Sequence, residues 1–266
     1  MSQDRTGLAR RVTVTVTYVV CVLGSMVGVG VFGGTPIAEA AGGLLSADAT
    51  HLAPASSAFS VWTVIYVALG AYTVWQWWDR TDPRRIGWLV AASLLLNAAW
   101  ILAVQAGTVA LTVVVIVALL AVLALAFRRL LTAPPRSLVE AAVADGTVGL
   151  YLGWVCVATC ANIAAALLGA GFTGGGAPQW WAVGVLAVVA AVGVALAVVS
   201  GGRLAPAATI MWGLAWIAVA RATDEPSSPT TAVAAGVAAA VVGVATIVRR
   251  LQAGTRDRVG PQEALR

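Results

Sequence analysis

Eight mainly apolar stretches, each about long enough to cross a bilayer, leave this chain little choice of fold. They lie near 12–33, 58–78, 86–106, 108–127, 146–169, 180–199, 204–220 and 230–248. A hydrocarbon core of ~30 Å takes about 20 such residues as a helix. Backbone groups find no water there, so a helix must satisfy them internally. A membrane barrel would alternate polar and apolar residues, and this chain does not. Charged residues make up only 10% of it, against about 25% in a soluble domain. The expected fold is all-α and integral to the membrane, with eight transmembrane helices. Stretches three and four meet at Gly107, and a tight turn is predicted at Gln105–Thr108.

Orientation follows from the Arg residues, which supply all 16 basic side chains. Arg5, Arg10 and Arg11 precede the first stretch. Arg80, Arg84 and Arg85 separate the second from the third. Arg128, Arg129 and Arg136 follow the fourth, and Arg203 follows the sixth. Arg249, Arg250, Arg256, Arg258 and Arg266 follow the eighth. The positive-inside rule makes every one of these gaps cytoplasmic, with both termini inside. Arg221 alone falls in an outer gap, and residues 33–57 carry no Arg. The pI of about 9.7 is therefore a topology signal. It does not describe a nucleic-acid surface, which would gather charge on one folded face with stacking aromatics. Membrane lipid is the expected partner of these basic loops. The first apolar run exceeds the 7–15 residues or so of a signal peptide, so it reads as a retained helix despite Ala38-Glu39-Ala40.

Unusual residues are unevenly placed. The first five stretches hold seven of the 11 Trp, all four Tyr and the membrane Asn residues, whereas the last three are rich in Ala, Val and Gly. The expected organisation is a five-helix bundle over 1–171, a three-helix extension over 177–250 and a cytoplasmic tail over 251–266. Cys156 and Cys160 sit one turn apart, but no His or carboxylate nearby completes a metal set. No nucleophile–base pair is evident, and His51, with Asp48 three residues before it, reads as a solvated loop residue. No catalytic and no metal residue is assigned.

Three motifs carry a signal. The first runs from Pro54 through Trp62 to Tyr66, with Ser57 a candidate N-cap and Trp62, Tyr66, Thr73 and Trp77 on one helical face. Trp75, Trp77 and Trp78 read as an interfacial belt. The second is Leu96-Asn97-Ala98-Ala99-Trp100. An amide within the bilayer must be bonded inside the bundle, either as helix–helix glue or as a polar point in a cavity. In the third, Tyr151, Trp154, Ala158 and Asn162 share one stripe, with Thr159 beside it. Gly149 with Gly153, and Gly24 with Gly28, are small-xxx-small pairs that mark close helix approach or a dimer contact.

Together these motifs resemble the translocator-protein family, also called TspO/MBR or tryptophan-rich sensory proteins. The likeness rests on Trp62-x-x-x-Tyr66 after Pro54, on Leu96-Asn97-x-x-Trp100, and on Tyr151-Leu152-x-Trp154 followed by Ala158, Thr159 and Asn162. It covers roughly residues 12–169, with Leu150 standing where the family commonly has Pro. The resemblance implies a five-helix bundle whose pocket opens towards the first interhelical loop, in a bacterial inner (plasma) membrane. It implies a hydrophobic small molecule as partner, porphyrin- or haem-like, with no cofactor required, and a homodimer. The implied ligand-binding residues are Trp62, Tyr66, Asn97, Trp100, Tyr151, Trp154, Ala158, Thr159 and Asn162. The function read from this is a membrane receptor or sensor binding a flat, tetrapyrrole-like molecule. The alternatives are a small-molecule transporter, disfavoured by the lack of membrane-centre charges, and a porphyrin-modifying membrane enzyme.

Overall fold

The computed structural model of the chain describes residues 2–31 and 33–259, and side chains over 5–31 and 33–255. Arg256, Arg258 and Arg266 of the last basic gap therefore lie outside the described side chains. The helices are α1 (Ser2–Gly28), α2 (Val61–Trp75), α3 (Gly87–Gln105), α4 (Val109–Leu130), α5 (Leu138–Gly169), α6 (Pro178–Ser200), α7 (Leu204–Thr223) and α8 (Pro229–Val259). All eight contain a segment long and apolar enough to cross a membrane. No strand occurs among the described residues. Between 28% and 56% of each spanning window is buried inside the protein. The remainder presents side chains such as Val67, Val114 and Leu102 outwards. An apolar outer surface of this extent belongs in lipid, and the chain is an integral, multi-pass membrane protein.

Local chemistry sets the helix ends. Gly107, at φ +70°, turns the chain between α3 and α4, where the sequence places the turn. Pro178 opens α6, where its missing N–H costs nothing. Several ends differ from expectation: α1 runs Ser2–Gly28 against the expected 12–33, and α8 continues to Val259, past the expected 248. Ser57 does not cap α2; it lies in a 3-10 turn over Ser56–Ser60, and α2 begins at Val61. α5 begins at Leu138, eight residues before the expected 146. Ser137 caps it by accepting the Glu140 N–H at 3.1 Å, and a π-helical turn at Ala141–Gly146 leads into the straight part.

The first five helices close a ring. α1 lies beside α2 and α3, α3 beside α4, α4 beside α5, and α5 returns to α2. α7 packs on α5, α8 packs on α7, and α6 packs on α8. Small residues bring α5 and α7 together: a Cβ on Gly149 would lie 2.8 Å from that of Ala205, and one on Gly153 would collide with the Pro206 carbonyl. Thr209 Oγ1 donates to Leu150 O across the same seam at 2.8 Å. The Gly149/Gly153 pair is thus a contact within the chain. Gly24 and Gly28 face Ala98 and Ile101 of α3.

At the end where α3, α5 and α7 start, charge locks the helices. Arg84 pairs with Glu140 at 2.8 Å and Asp145 at 2.7 Å, and Arg203 also pairs with Asp145. Both guanidiniums donate to Leu130 O at the end of α4. The π turn explains how Glu140 and Asp145 reach one partner. Residues five apart diverge by about 140° in an α-helix, whereas an i→i+5 turn returns them to one side.

Candidate ligand cavity

Trp62, Tyr66, Asn97, Trp100, Tyr151, Trp154, Ala158 and Asn162 converge at the opposite end of the ring. A cavity of about 60 Å3 opens there. Its walls are Trp62 of α2, Asn97 and Trp100 of α3, Ile116 and Leu119 of α4, and Trp154, Ala158 and Asn162 of α5. Its roof is the loop before α2, through residues including Leu44, Ser46, Thr50, Pro54 and Phe59. No charged side chain lines it.

The aromatic residues are ordered by one another. Trp62 stacks on Tyr66 with ring centroids 5.3 Å apart and planes 22° apart. Tyr151 and Trp154 meet Trp62 edge-on at 5.7 and 6.3 Å, and roof residue Phe59 meets Trp154 edge-on at 5.8 Å. Such contacts add about 0.5–1.5 kcal/mol each beyond burial. Tyr66 and Tyr151 thus stand behind Trp62 and do not line the cavity themselves.

Both amides bond within the bundle. Asn97 Nδ2 donates to Tyr66 Oη at 3.0 Å and to Cys21 Sγ at 3.2 Å, tying α3 to α2 and α1. Asn162 Oδ1 accepts from Trp100 Nε1 at 2.9 Å, and its Nδ2 donates to Thr112 Oγ1 at 2.8 Å. That links α5 to α3 and α4, and it joins the second motif to the third. The amides are helix–helix bonds and cavity walls at once. Thr159 turns away from the cavity and bonds back to Val155 O at 2.7 Å. The Trp154 indole N–H and the Tyr151 hydroxyl are buried without a protein partner, a cost of about 1–3 kcal/mol each when nothing pairs with them.

Sequence reasoning missed Thr112, Cys21, Ile116 and Leu119, ordinary membrane-helix residues with no local mark. It also missed what α7 brings to the roof. Trp212 Nε1 donates to Ala58 O at 2.9 Å, and Ala55 N donates to Trp216 O at 3.2 Å. Arg221, fully buried, donates to Ala47 O at 2.8 Å and to Thr50 O and Pro226 O at 3.1 Å. Two Trp in an Ala/Val-rich region, and the lone Arg of an outer gap, were the available signals. At the roof, burial and then the Arg221 charge hold the His51 pKa below its ordinary value.

Fold and site together define a multi-pass helical membrane protein with an aromatic-walled, uncharged cavity beneath a loop. The chain matches the TSPO-like protein family over residues 11–248, and it belongs to that family. The match continues through α6, α7 and most of α8, beyond the residues that carry the three motifs. No curated protein and no solved structure matches the chain.

Proposed function

We propose that this protein is a membrane receptor or sensor that binds a flat, hydrophobic, tetrapyrrole-like molecule between the ring helices and the roof loop. One observation carries the reading: three indoles, those of Trp62, Trp100 and Trp154, surround a single cavity with no charged wall. Pockets for small molecules are mainly apolar, with few fixed polar groups. The orphaned Trp154 N–H supplies a donor for a ligand acceptor. The roof must lift for access, since benzene alone takes a cavity of about 150 Å3 and this one holds about 60 Å3. Ion-coupled transport has less support, because the internal ion pairs of Arg84, Arg203, Glu140 and Asp145 gather at the far end. The Arg pattern supports an orientation with both termini cytoplasmic and the roof outside.

The test is titration of purified protein with protoporphyrin and its dimethyl ester, followed by absorbance and Trp quenching. Ala158→Phe fills the cavity and abolishes saturable binding. Trp78→Ala, at a side chain that is 77% exposed, leaves binding unchanged. The ester binds at least as tightly as the diacid, because no wall cation pairs with a carboxylate. Binding that survives Ala158→Phe sinks the assignment.

A further inference from the structure

We infer that α7 is part of the site: Arg221 and Trp212 are positioning residues that hold the roof loop closed over the cavity. The three attachments from α7 all fall between Ala47 and Ala58, and each stands beside a cavity residue. Arg221 holds the carbonyls of Ala47 and Thr50; Ser46 and Thr50 line the cavity. Ala55, bonded to Trp216 O, follows Pro54 of the roof. Ala58, whose carbonyl takes the Trp212 indole N–H, precedes Phe59, the ring that closes on Trp154.

The chemistry suits a latch. Arg221 forms no ion pair within 4.0 Å among the described residues, so its bonds go to neutral carbonyls, two of them on the roof and one on Pro226. A fork of guanidinium donors holds two roof carbonyls in fixed geometry, and carbonyl bonds exchange for water more readily than a buried ion pair separates. The seam of Gly149 and Gly153 against Pro206 fixes α7 to α5, so the latch is referenced to the cavity wall itself. The last three helices therefore contribute to the site through its roof. This inference concerns access to the cavity and holds whichever ligand the cavity takes.

The experiment reads access without a ligand. In the full-length chain carrying Cys21→Ala, Cys156→Ala and Cys160→Ala, one thiol is introduced by Ala158→Cys in the wall. In a parallel chain, a thiol is introduced by Ala126→Cys in the buried core near the ion-paired end. A small maleimide labels each in detergent or nanodiscs. Arg221→Met raises the labelling rate of the wall thiol about tenfold or more, the factor equivalent to one charge-assisted hydrogen bond. The core thiol keeps its rate. Arg221→Lys, which keeps the charge but not the fork, gives an intermediate rise. Trp212→Phe, which keeps the ring but removes the donor, gives a rise of roughly threefold to tenfold. A wall rate within twofold of the parent in folded Arg221→Met and Trp212→Phe overturns the inference, as does a core rate that rises in step. Should Arg221→Met fail to fold, Trp212→Phe decides by the same criterion. Loss of porphyrin binding with these rates as stated would count against the proposed ligand, leaving the latch intact.

Discussion

The two ends of this bundle are held together by different chemistry. At one end, four Arg side chains, Arg10, Arg84, Arg136 and Arg203, pair with Asp82, Glu140, Asp79 and Asp145, and α3, α4, α5 and α7 are joined through them. At the other end, one buried Arg grips backbone carbonyls of a loop, and the helices are joined by amides and indoles. A mutually paired charge cluster resists opening, because its centre, Arg84 with Glu140 and Asp145, would be left buried and unpaired. A loop held by carbonyl bonds can let go once water reaches both the freed carbonyls and the Arg221 guanidinium. The contrast teaches where the molecule is held least firmly: at the roof, while the ion-paired end stays locked.

The contrast breaks first at Asp145. This carboxylate takes both Arg84 and Arg203, so Asp145→Asn leaves Arg203 without an ion-pair partner and Arg84 with Glu140 alone. The expected loss is about 3 kcal/mol of stability, the low end for a broken buried pair, because Arg84 keeps Glu140. It is read as a fall in the thermal midpoint of detergent-solubilised protein by fluorescence-detected gel filtration. An unchanged midpoint would mean that the two ends are held equally loosely.

A smaller effect is expected at the seam between them. Gly153→Ala sets a methyl against the Pro206 carbonyl, which is backbone and cannot swing aside. Overpacking of this kind costs about 1–3 kcal/mol. With α7 pinned at Arg203, the strain shows at its other end, where Trp212 and Arg221 hold the roof. The wall thiol introduced by Ala158→Cys should label faster, with the core thiol unchanged. Gly184→Ala, in α6 with open space around it, should change neither rate. Equal behaviour of the two variants would show that the seam does not transmit to the roof.

How much of this was legible in the chain depends on the range of the interaction. Span number and the turn at Gly107 follow from length and apolarity, and the stripe of Trp154, Ala158 and Asn162 follows from helical spacing, all of which are local; that this stripe meets Trp62, Asn97 and Trp100 of two other helices was implied only by the family resemblance. The early start of α5 had a local signal as well, Ser137-Leu138-Val139-Glu140, a capping-box spacing hidden by the polar residues around it. Thr159 sits in the right motif but points along its own helix, because a hydroxyl within a helix readily bonds back one turn. The Arg residues supplied an expected orientation; nothing local announced that Arg84 and Arg203 would share Asp145, since those partners are 61 and 58 residues away. The latch was least legible of all. Arg221 stood out as the one Arg outside the basic gaps, but its roof carbonyl partners lie 171 and 174 residues earlier, and any residue type supplies a carbonyl.

The smallest expected effect tests the loop end by titration. His51 follows Thr50, a residue that Arg221 holds, and its ring Nδ1 is buried without a partner. Burial first, then the Arg221 charge, depress its pKa from an ordinary value of about 6.5. The closed roof therefore binds a proton less well than an open one. Above the ordinary pKa, His51 is neutral in both states and contributes nothing to the balance. As pH falls below about 6.5, the open roof takes up the proton first, so acid favours opening. His51→Gln removes the titration. The measured quantity is the labelling rate of the wall thiol in the His51 chain divided by that in the His51→Gln chain. Taking the ratio at each pH cancels ionisation of the thiol itself. Between about pH 7.5 and 5.5 the ratio should rise roughly twofold, the modest size fitting a partly exposed ring. A ratio that falls on acidification would place the proton on the closed roof and reverse the assignment of the weaker end.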